Sequence, residues 1–132
     1  MNARLASVQA YRSAGVDAPV AAASPHQLVV LLYQGARAAI AQALAALERK
    51  DGAARGKAIS KAIAIVGEGL KASLDLGQGG PLAKQLDELY DYMILRLALA
   101  NGTADPQKLR EVDGLLAELE GAWRQIGLQA KA

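Results

Sequence analysis

The sequence predicts an all-α protein, an antiparallel up-down-up-down four-helix bundle with an N-terminal arm or short helix packing over one end. Four long segments carry a helical spacing of apolar residues, Pro and Gly mark most segment ends, and the connections are short. Of the 132 residues 52% are apolar but only 4% are aromatic, and Phe is absent. A core of Leu, Ile, Val and Ala favours closely packed helices, and the length fits one domain.

The first two helices are expected at about 24–50 and 52–76. Ser24, Pro25 and Gln27 supply an N-cap, a proline at the first helical position and the glutamine of a capping box. Asp51-Gly52 ends the first pattern. The apolar seam of the second helix is predicted to comprise Ile59, Ala62, Ile63, Val66, Leu70, Ser73 and Leu74.

The third and fourth helices are expected at about 81–102 and 105–127. Pro81 follows the glycine-rich loop that ends the second helix, Asn101-Gly102 ends the third, and Asp105-Pro106 gives the fourth a cap and a first-turn proline. Seams with a period near 3.5 indicate bundle packing. They comprise Leu82, Leu86, Leu89, Met93, Leu97 and Ala100 in the third helix, and Leu109, Val112, Leu116, Leu119, Trp123 and Ile126 in the fourth.

The domain organisation is one bundle, residues 24–127, with an arm at 1–23 and a short tail at 128–132. The arm carries Leu5, Val8 and Tyr11 at an amphipathic spacing. We expect the arm to cover apolar surface that the four helices leave open.

Three helices carry more apolar surface than one bundle face can cover. The first begins with the all-round apolar run 28–33, which includes Leu28 and Leu31, so the arm or a partner must lie over it. Second stripes follow on the next two helices: Ile65, Gly69, Ala72 and Leu76 on the second, and Tyr92, Leu95 and Leu99 on the third. Together they could line a groove for a partner helix. Coverage by neighbouring helices, or simple exposure, is the alternative, and Gly67 is explained by close packing inside the bundle.

Composition argues against several other functions. The sequence contains no Cys and one His. Fifteen Lys and Arg residues balance thirteen Asp and Glu residues, and the two signs are interspersed along the chain. Neither a segment that resembles a signal peptide nor a run of about 20 apolar residues occurs. His26 is expected to be exposed or capping, and Met93 to pack in the core. We therefore expect no enzyme, no cofactor or metal, no nucleic-acid partner and no membrane insertion, in a cytosolic protein.

Several short sequence motifs resemble those of the FliS family of flagellar export chaperones. They are Ser24-Pro25-His26-Gln27-Leu28, Gly79-Gly80, Leu89-Tyr90-Asp91-Tyr92-Met93, Ala100-Asn101 and Ala122-Trp123, in the family's order and spacing. Tyr11 matches the N-terminal tyrosine of the family. The resemblance covers nearly the whole chain.

The resemblance implies a helical bundle that binds the disordered C-terminal segment of flagellin in the cytosol, prevents its premature polymerisation and delivers it to the export gate, where FlhA receives the complex. It also implies that the N-terminal segment, with Val8 and Tyr11, lies over part of the binding surface until flagellin displaces it. The free chain is expected to be a monomer or weak homodimer. The predicted partner-binding residues are Val8, Tyr11, Leu28, Leu31, Ile65, Gly69, Ala72, Leu76, Tyr92, Leu95 and Leu99.

Two alternatives from other classes stay open on the residues alone. One is a helical oligomerisation module whose outer stripes pair with copies of the same chain. The other is a metal-binding or redox four-helix bundle, although the Glu-x-x-His pairs of di-iron bundles do not occur in the sequence.

Overall fold

Four helices make up the fold in a computed structural model, which describes residues 24–131, with side chains described through Ile126. Helix α1 is Pro25–Glu48, α2 is Gly52–Ala64, α3 is Gly80–Thr103 and α4 is Pro106–Lys131. A π-helical segment, Ile65–Lys71, continues α2 without a break. No strand occurs between residues 24 and 131, so the predicted all-α class is confirmed.

Each helix packs against the helix before and the helix after it in the sequence, and the first and last helices, α1 and α4, pack against each other. Two contacts fix the antiparallel direction of α2 and α3: Arg55, near the start of α2, bonds to Asn101 near the end of α3, while Lys71 at the far end pairs with Asp87. Arg37 of α1 likewise pairs with Asp113 of α4. This circular order is the expected up-down-up-down arrangement, and it places α3 diagonally opposite α1.

The helix starts follow the caps visible in the sequence. The Ser24 hydroxyl accepts from the Gln27 backbone N–H at 3.1 Å, and the Gln27 side chain accepts from the Ser24 N–H at 2.9 Å. Asp51 accepts from the Ala54 N–H, and Asp105 accepts from the Gln107 N–H. These bonds satisfy backbone donors that have no intrahelical partner, so three of the four helix starts are determined locally.

The core combines large aliphatic residues with many small ones. Ala36, Ala39, Ala43 and Ala46 of α1 are at most 1% exposed, as is Ala62 of α2. Such small side chains allow α1 and α2 to approach closely. The larger members of the core are Leu28, Leu32, Tyr33, Ile40, Ile59, Ile65, Val66, Leu70, Tyr90, Met93, Leu97, Leu109, Val112 and Leu116.

Helix α1 is long and apolar enough, by length and composition alone, to cross a membrane, although polar residues such as Gln34 and Arg37 interrupt its apolar sequence. Its many Ala residues raise the mean hydropathy. Half of its most apolar stretch is buried inside the bundle, and the core helix of a globular protein can be as long and as apolar. In the run 28–33, Leu28, Leu32 and Tyr33 are buried, while Val29, Val30 and Leu31 are half-buried.

Helix α2 departs from its predicted course. It changes to π geometry at Ile65, as the bond of 3.3 Å from the Ala72 N–H to the Gly67 carbonyl illustrates, and its helical part ends at Lys71 rather than near Leu76. Gly67 faces α3, where an added Cβ would lie 3.4 Å from Ile94 Cδ1. The π-helical segment thus carries Gly67 at its contact with α3, and the spacing of apolar residues does not reveal this change of helix geometry.

Two further local features differ from the sequence expectations. Helix α3 runs past Asn101-Gly102 to Thr103 and ends with Ala104 in the left-handed conformation, at φ +50°. His26, expected to be exposed or capping, is half-buried against Trp123, with ring centroids 5.2 Å apart. This contact joins the first turn of α1 to the last part of α4.

Candidate partner-binding surface

Helix α3 presents an apolar surface to solvent on the side away from the core. Tyr92, Leu95 and Leu99 are 41%, 57% and 42% exposed, and their spacing places them on one helix face. The buried residues Met93 and Leu97 lie on the opposite face. We call Tyr92, Leu95 and Leu99 the α3 ridge; it matches the second stripe that the sequence predicted on this helix.

Hydrogen bonds to α4 hold one edge of the ridge. The Tyr92 hydroxyl donates to Glu111 Oε2 at 2.7 Å, and Arg96 Nε donates to Glu111 Oε1 at 2.7 Å. The Arg96 guanidinium carbon also lies 6.0 Å from the centroid of the Tyr92 ring. The hydrogen bond to Glu111 raises the pKa of Tyr92, and the hydrogen bonds from Tyr92 and Arg96 lower the pKa of Glu111. These contacts orient the exposed ring.

Ion pairs to the π-helical segment hold the other edge. Lys71 Nζ lies 2.8 Å from a carboxylate oxygen of both Asp87 and Asp91. The pKa of Lys71 is raised by its bond to Asp87 first and then by its bond to Asp91. The ridge is therefore an apolar strip between two polar rims, an arrangement typical of surfaces that bind amphipathic segments.

A second group of exposed leucine and isoleucine side chains lies at the far end of the bundle. Leu76, Leu82 and Ile126 are 55%, 65% and 53% exposed. Leu82 precedes Arg96 by about four helical turns and Ile126 follows Glu111 by about four, so the Arg96–Glu111 pair places them at the same level of the antiparallel helices. We call these three residues the end patch.

The sequence placed Leu82 and Ile126 in the core seams of the third and fourth helices, and their exposure corrects that assignment. They are the terminal members of their seams. The spacing of apolar residues predicts the direction of a side chain, but it does not show whether a neighbouring helix extends far enough to cover that side chain. Leu86, Leu89 and Leu119, further inside the same seams, are partly buried against the core.

The predicted α2 stripe does not form one side of a groove. Ile65 is 0% exposed and Gly69 is buried, so both lie in the core, whereas Ala72 and Leu76 are exposed beyond the helical part. The reason is that α2 buries a wide arc, including Ala58 and Ala62 as well as Ile59 and Val66. This corrects the expected groove between the second and third helices.

The remaining predicted residues differ in accessibility. Leu28 is 1% exposed and belongs to the core, and Leu31 is half-buried against it. Val8 and Tyr11 lie outside the described residues. A partner that meets the described surface as it stands therefore reaches the α3 ridge, Ala72 and Leu76, but not the side chains of Leu28 and Ile65.

Two buried tyrosines, which the seam pattern missed, lie beneath the surface. Tyr33 of α1 and Tyr90 of α3 are 0% and 2% exposed, and their hydroxyls are 2.5 Å apart. Burial raises the pKa of both, and hydrogen bonds to Tyr90 and Trp123 partly offset the effect in Tyr33. The spacing of apolar residues in the sequence cannot reveal a polar pair that joins two diagonally opposite helices.

As for metal binding, no group of three His, Cys, Asp or Glu residues in the described part of the chain could hold a metal ion.

Comparison with known proteins agrees with the sequence motifs. A family model described as flagellar protein FliS matches residues 7–130. The flagellar secretion chaperone FliS of Salmonella typhimurium is 48% identical over 123 residues, which cover 93% of this chain and 91% of the relative. FliSB, the flagellar secretion chaperone of Pseudomonas aeruginosa, is 43% identical over 91% of this chain and 94% of its own. FliS of Bacillus subtilis is 32% identical over 78% of this chain and 75% of its own. The chain therefore belongs to the FliS family of flagellar secretion chaperones.

Proposed function

We propose that this protein is a cytosolic export chaperone that binds the disordered C-terminal region of flagellin, prevents its premature polymerisation and delivers it to the flagellar type III export gate. The FliS family supports this proposal, because its curated relatives are named flagellar secretion chaperones. Binding and shielding need no catalysis, so the proposed function is not enzymatic.

The α3 ridge is the observation that carries the proposal. A terminal segment of flagellin that has not polymerised has an apolar face without a partner, and the exposed Tyr92, Leu95 and Leu99 offer a substitute for it. Their polar rims, formed by Arg96–Glu111 and Lys71–Asp87, favour a segment that is apolar on one face and polar on the others. Folding of a disordered segment on binding carries an ordering cost of about 2 to 5 kcal/mol, which keeps release possible.

Residues 1–23 are proposed to compete with flagellin for this apolar surface. The arm carries Val8 and Tyr11 at an amphipathic spacing, so it can cover apolar side chains while the chaperone is free. Displacing it weakens binding by the cost of displacement, and it keeps the free protein a monomer or weak dimer. The complex with flagellin, rather than the free chaperone, is then the form that FlhA receives.

Substitution of a ridge leucine tests the proposal. Because burial of a leucine side chain contributes about 1.5 kcal/mol or more, Leu95→Ser should weaken binding of a flagellin C-terminal peptide by about tenfold or more. Leu82→Ser is the matched control, since Leu82 is at least as exposed as Leu95 and lies on the same helix but belongs to the end patch. Isothermal titration calorimetry gives both affinities, and thermal unfolding checks that both variants fold. Equal losses in the two variants, or no loss in Leu95→Ser, would reject the ridge as the binding surface.

Deletion of residues 2–16 tests the role of the arm. The truncated chain should bind the peptide as tightly as the full chain or more tightly, and it should self-associate more. A large loss of affinity would show instead that the arm is part of the binding site.

Size-exclusion chromatography with light scattering separates a chaperone from an oligomerisation module. A chaperone should change from monomer or weak dimer to a one-to-one complex when the peptide is added. An oligomer that persists in the presence of peptide, or that loses the peptide on assembly, would favour the module.

A further inference from the structure

The near balance of charge over the whole chain conceals a local separation. Five cations lie between the end of α1 and the middle of α2, and Glu48 and Asp51 are the only carboxylates among them. The five are Arg49, Lys50, Arg55, Lys57 and Lys61, here called the basic corner. Acidic residues outnumber basic ones from residue 62 to 126, on the π-helical segment, α3 and α4.

The cations of the basic corner are not used to hold the fold together by ion pairs. Within residues 24–126, the cations that form ion pairs are Arg37, Lys71, Arg96, Lys108 and Arg124. None of the five corner cations has a carboxylate within ion-pair distance in that range. Arg55 alone has a partner in α3, the side chain and carbonyl of Asn101. The corner therefore presents a surface with a net positive charge, none of which is held in ion pairs within residues 24–126.

Local stability does not explain Lys50. It has φ +58°, the left-handed conformation that glycine adopts without strain, at the end of α1. A lysine at this position destabilises the turn relative to glycine but adds a charge to the corner. Arg55 lies in the first turn of α2, where the helix dipole disfavours a cation. The conformation of Lys50 therefore favours a role in binding an anionic partner, whereas Arg55 also bonds to Asn101 of α3.

The surroundings of the cations indicate the class of partner. No large apolar side chain between residues 48 and 61 is among those exposed, so the corner has no anchor for a lipid surface. Tyr92, the exposed aromatic residue in the described part of the chain, lies on α3, so the corner has no platform for stacking nucleic-acid bases. A protein segment rich in Asp and Glu needs neither, because charge complementarity suffices to dock it.

We propose that the basic corner is a second docking surface, distinct in its chemistry from the apolar α3 ridge, that binds an acidic segment of another protein. Its α1 end, with Arg49 and Lys50, lies diagonally across the bundle from α3, whereas its α2 part meets the end of α3 through the bond from Arg55 to Asn101. The chain can thus hold one partner on α3 and another at the α1–α2 turn. This inference does not depend on what the ridge binds.

Paired neutralisation of charges tests the proposal with the full-length protein. The probe is a fluorescein-labelled peptide of alternating Glu and Ser, measured by fluorescence anisotropy at low and at physiological ionic strength. The variant Lys57→Gln/Lys61→Gln should bind about fivefold to tenfold more weakly, with a reduced salt dependence. The control Lys84→Gln/Arg110→Gln removes the same number of unpaired cations from α3 and α4 and should change affinity less than about twofold.

A second variant separates binding from folding. Lys50→Gly should raise Tm by a few degrees, because it relieves the left-handed lysine, and it should nevertheless weaken peptide binding. Binding of a flagellin C-terminal peptide should be unchanged in all of these variants, which separates a failure of this proposal from a failure of the ridge.

Several outcomes would overturn the inference. They are no binding of the acidic peptide by the wild type, equal losses in the corner and control variants, or a second copy of this chain competing for the corner. Anionic vesicles and an RNA oligonucleotide serve as alternative probes. If the corner variant lost affinity for either of these but not for the peptide, the partner would be a lipid surface or a nucleic acid instead.

Discussion

Removing the hydroxyl groups of Tyr33 and Tyr90 should show strong coupling between α1 and α3. The two hydroxyls are buried, and each is the other's hydrogen-bond partner at 2.5 Å. Tyr33→Phe or Tyr90→Phe removes one hydrogen bond and leaves the other hydroxyl without that partner in a buried site. Loss of such a bond and an unsatisfied polar group together cost about 2 kcal/mol.

The double variant should be much less damaging than the sum of the two. Phe at both positions leaves no buried hydroxyl, and replacing both partners by apolar groups of the same shape is nearly neutral. We therefore expect an interaction energy of about 1 to 3 kcal/mol in the double-mutant cycle. Urea unfolding followed by far-ultraviolet circular dichroism gives the free energies of unfolding. If the two single costs added to give the double cost within about 0.5 kcal/mol, the proposed coupling would be wrong.

Three further predictions concern pH and backbone conformation. Burial raises the pKa of Tyr33 and Tyr90 above the ordinary value of 10.0. The stability that these two residues contribute is therefore complete below about pH 10 and is lost as the pH rises further. Tm measured between pH 8 and 11 should fall, and it should fall less steeply in the double Phe variant. Gly114→Ala and Gly121→Ala, where an added Cβ meets nothing within 4 Å, should each raise the free energy of unfolding by about 0.5 to 1 kcal/mol in urea titrations, and a decrease would mean that these positions are not open. Ala104→Gly, at φ +50°, should raise it by about 1 kcal/mol, which the same titration measures; an unchanged midpoint would argue against strain there.

The sequence was sufficient for the helices and most of their starts. Ser24, Asp51 and Asp105 are bonded to backbone N–H groups one turn further on, as local capping chemistry requires. The ends were less predictable. Helix α3 ends at Thr103 instead of near Gly102, and the π-helical continuation of α2 ends at Lys71 instead of near Leu76. A helix end depends on the packing of the next segment as well as on the residue that could terminate it.

The sequence also located the α3 ridge, but it did not locate the surface around it. The helical spacing of apolar residues identified Tyr92, Leu95 and Leu99 as a second stripe, because the directions of their side chains follow from helix geometry alone. The same reasoning failed for Ile65 and Gly69, since exposure depends on how wide an arc of α2 the neighbouring helices cover.

Local chemistry in the sequence thus determined the class of the fold, the capped helix starts, the family and one exposed stripe. Only the tertiary structure decided the rest: the π geometry after Ala64, the Tyr33–Tyr90 pair and the exposure of Leu82 and Ile126. The physical reason is the range of the interactions. Capping and helical periodicity act within a few residues, whereas burial, buried polar pairs and unpaired charges depend on helices that are distant in the chain and adjacent in space.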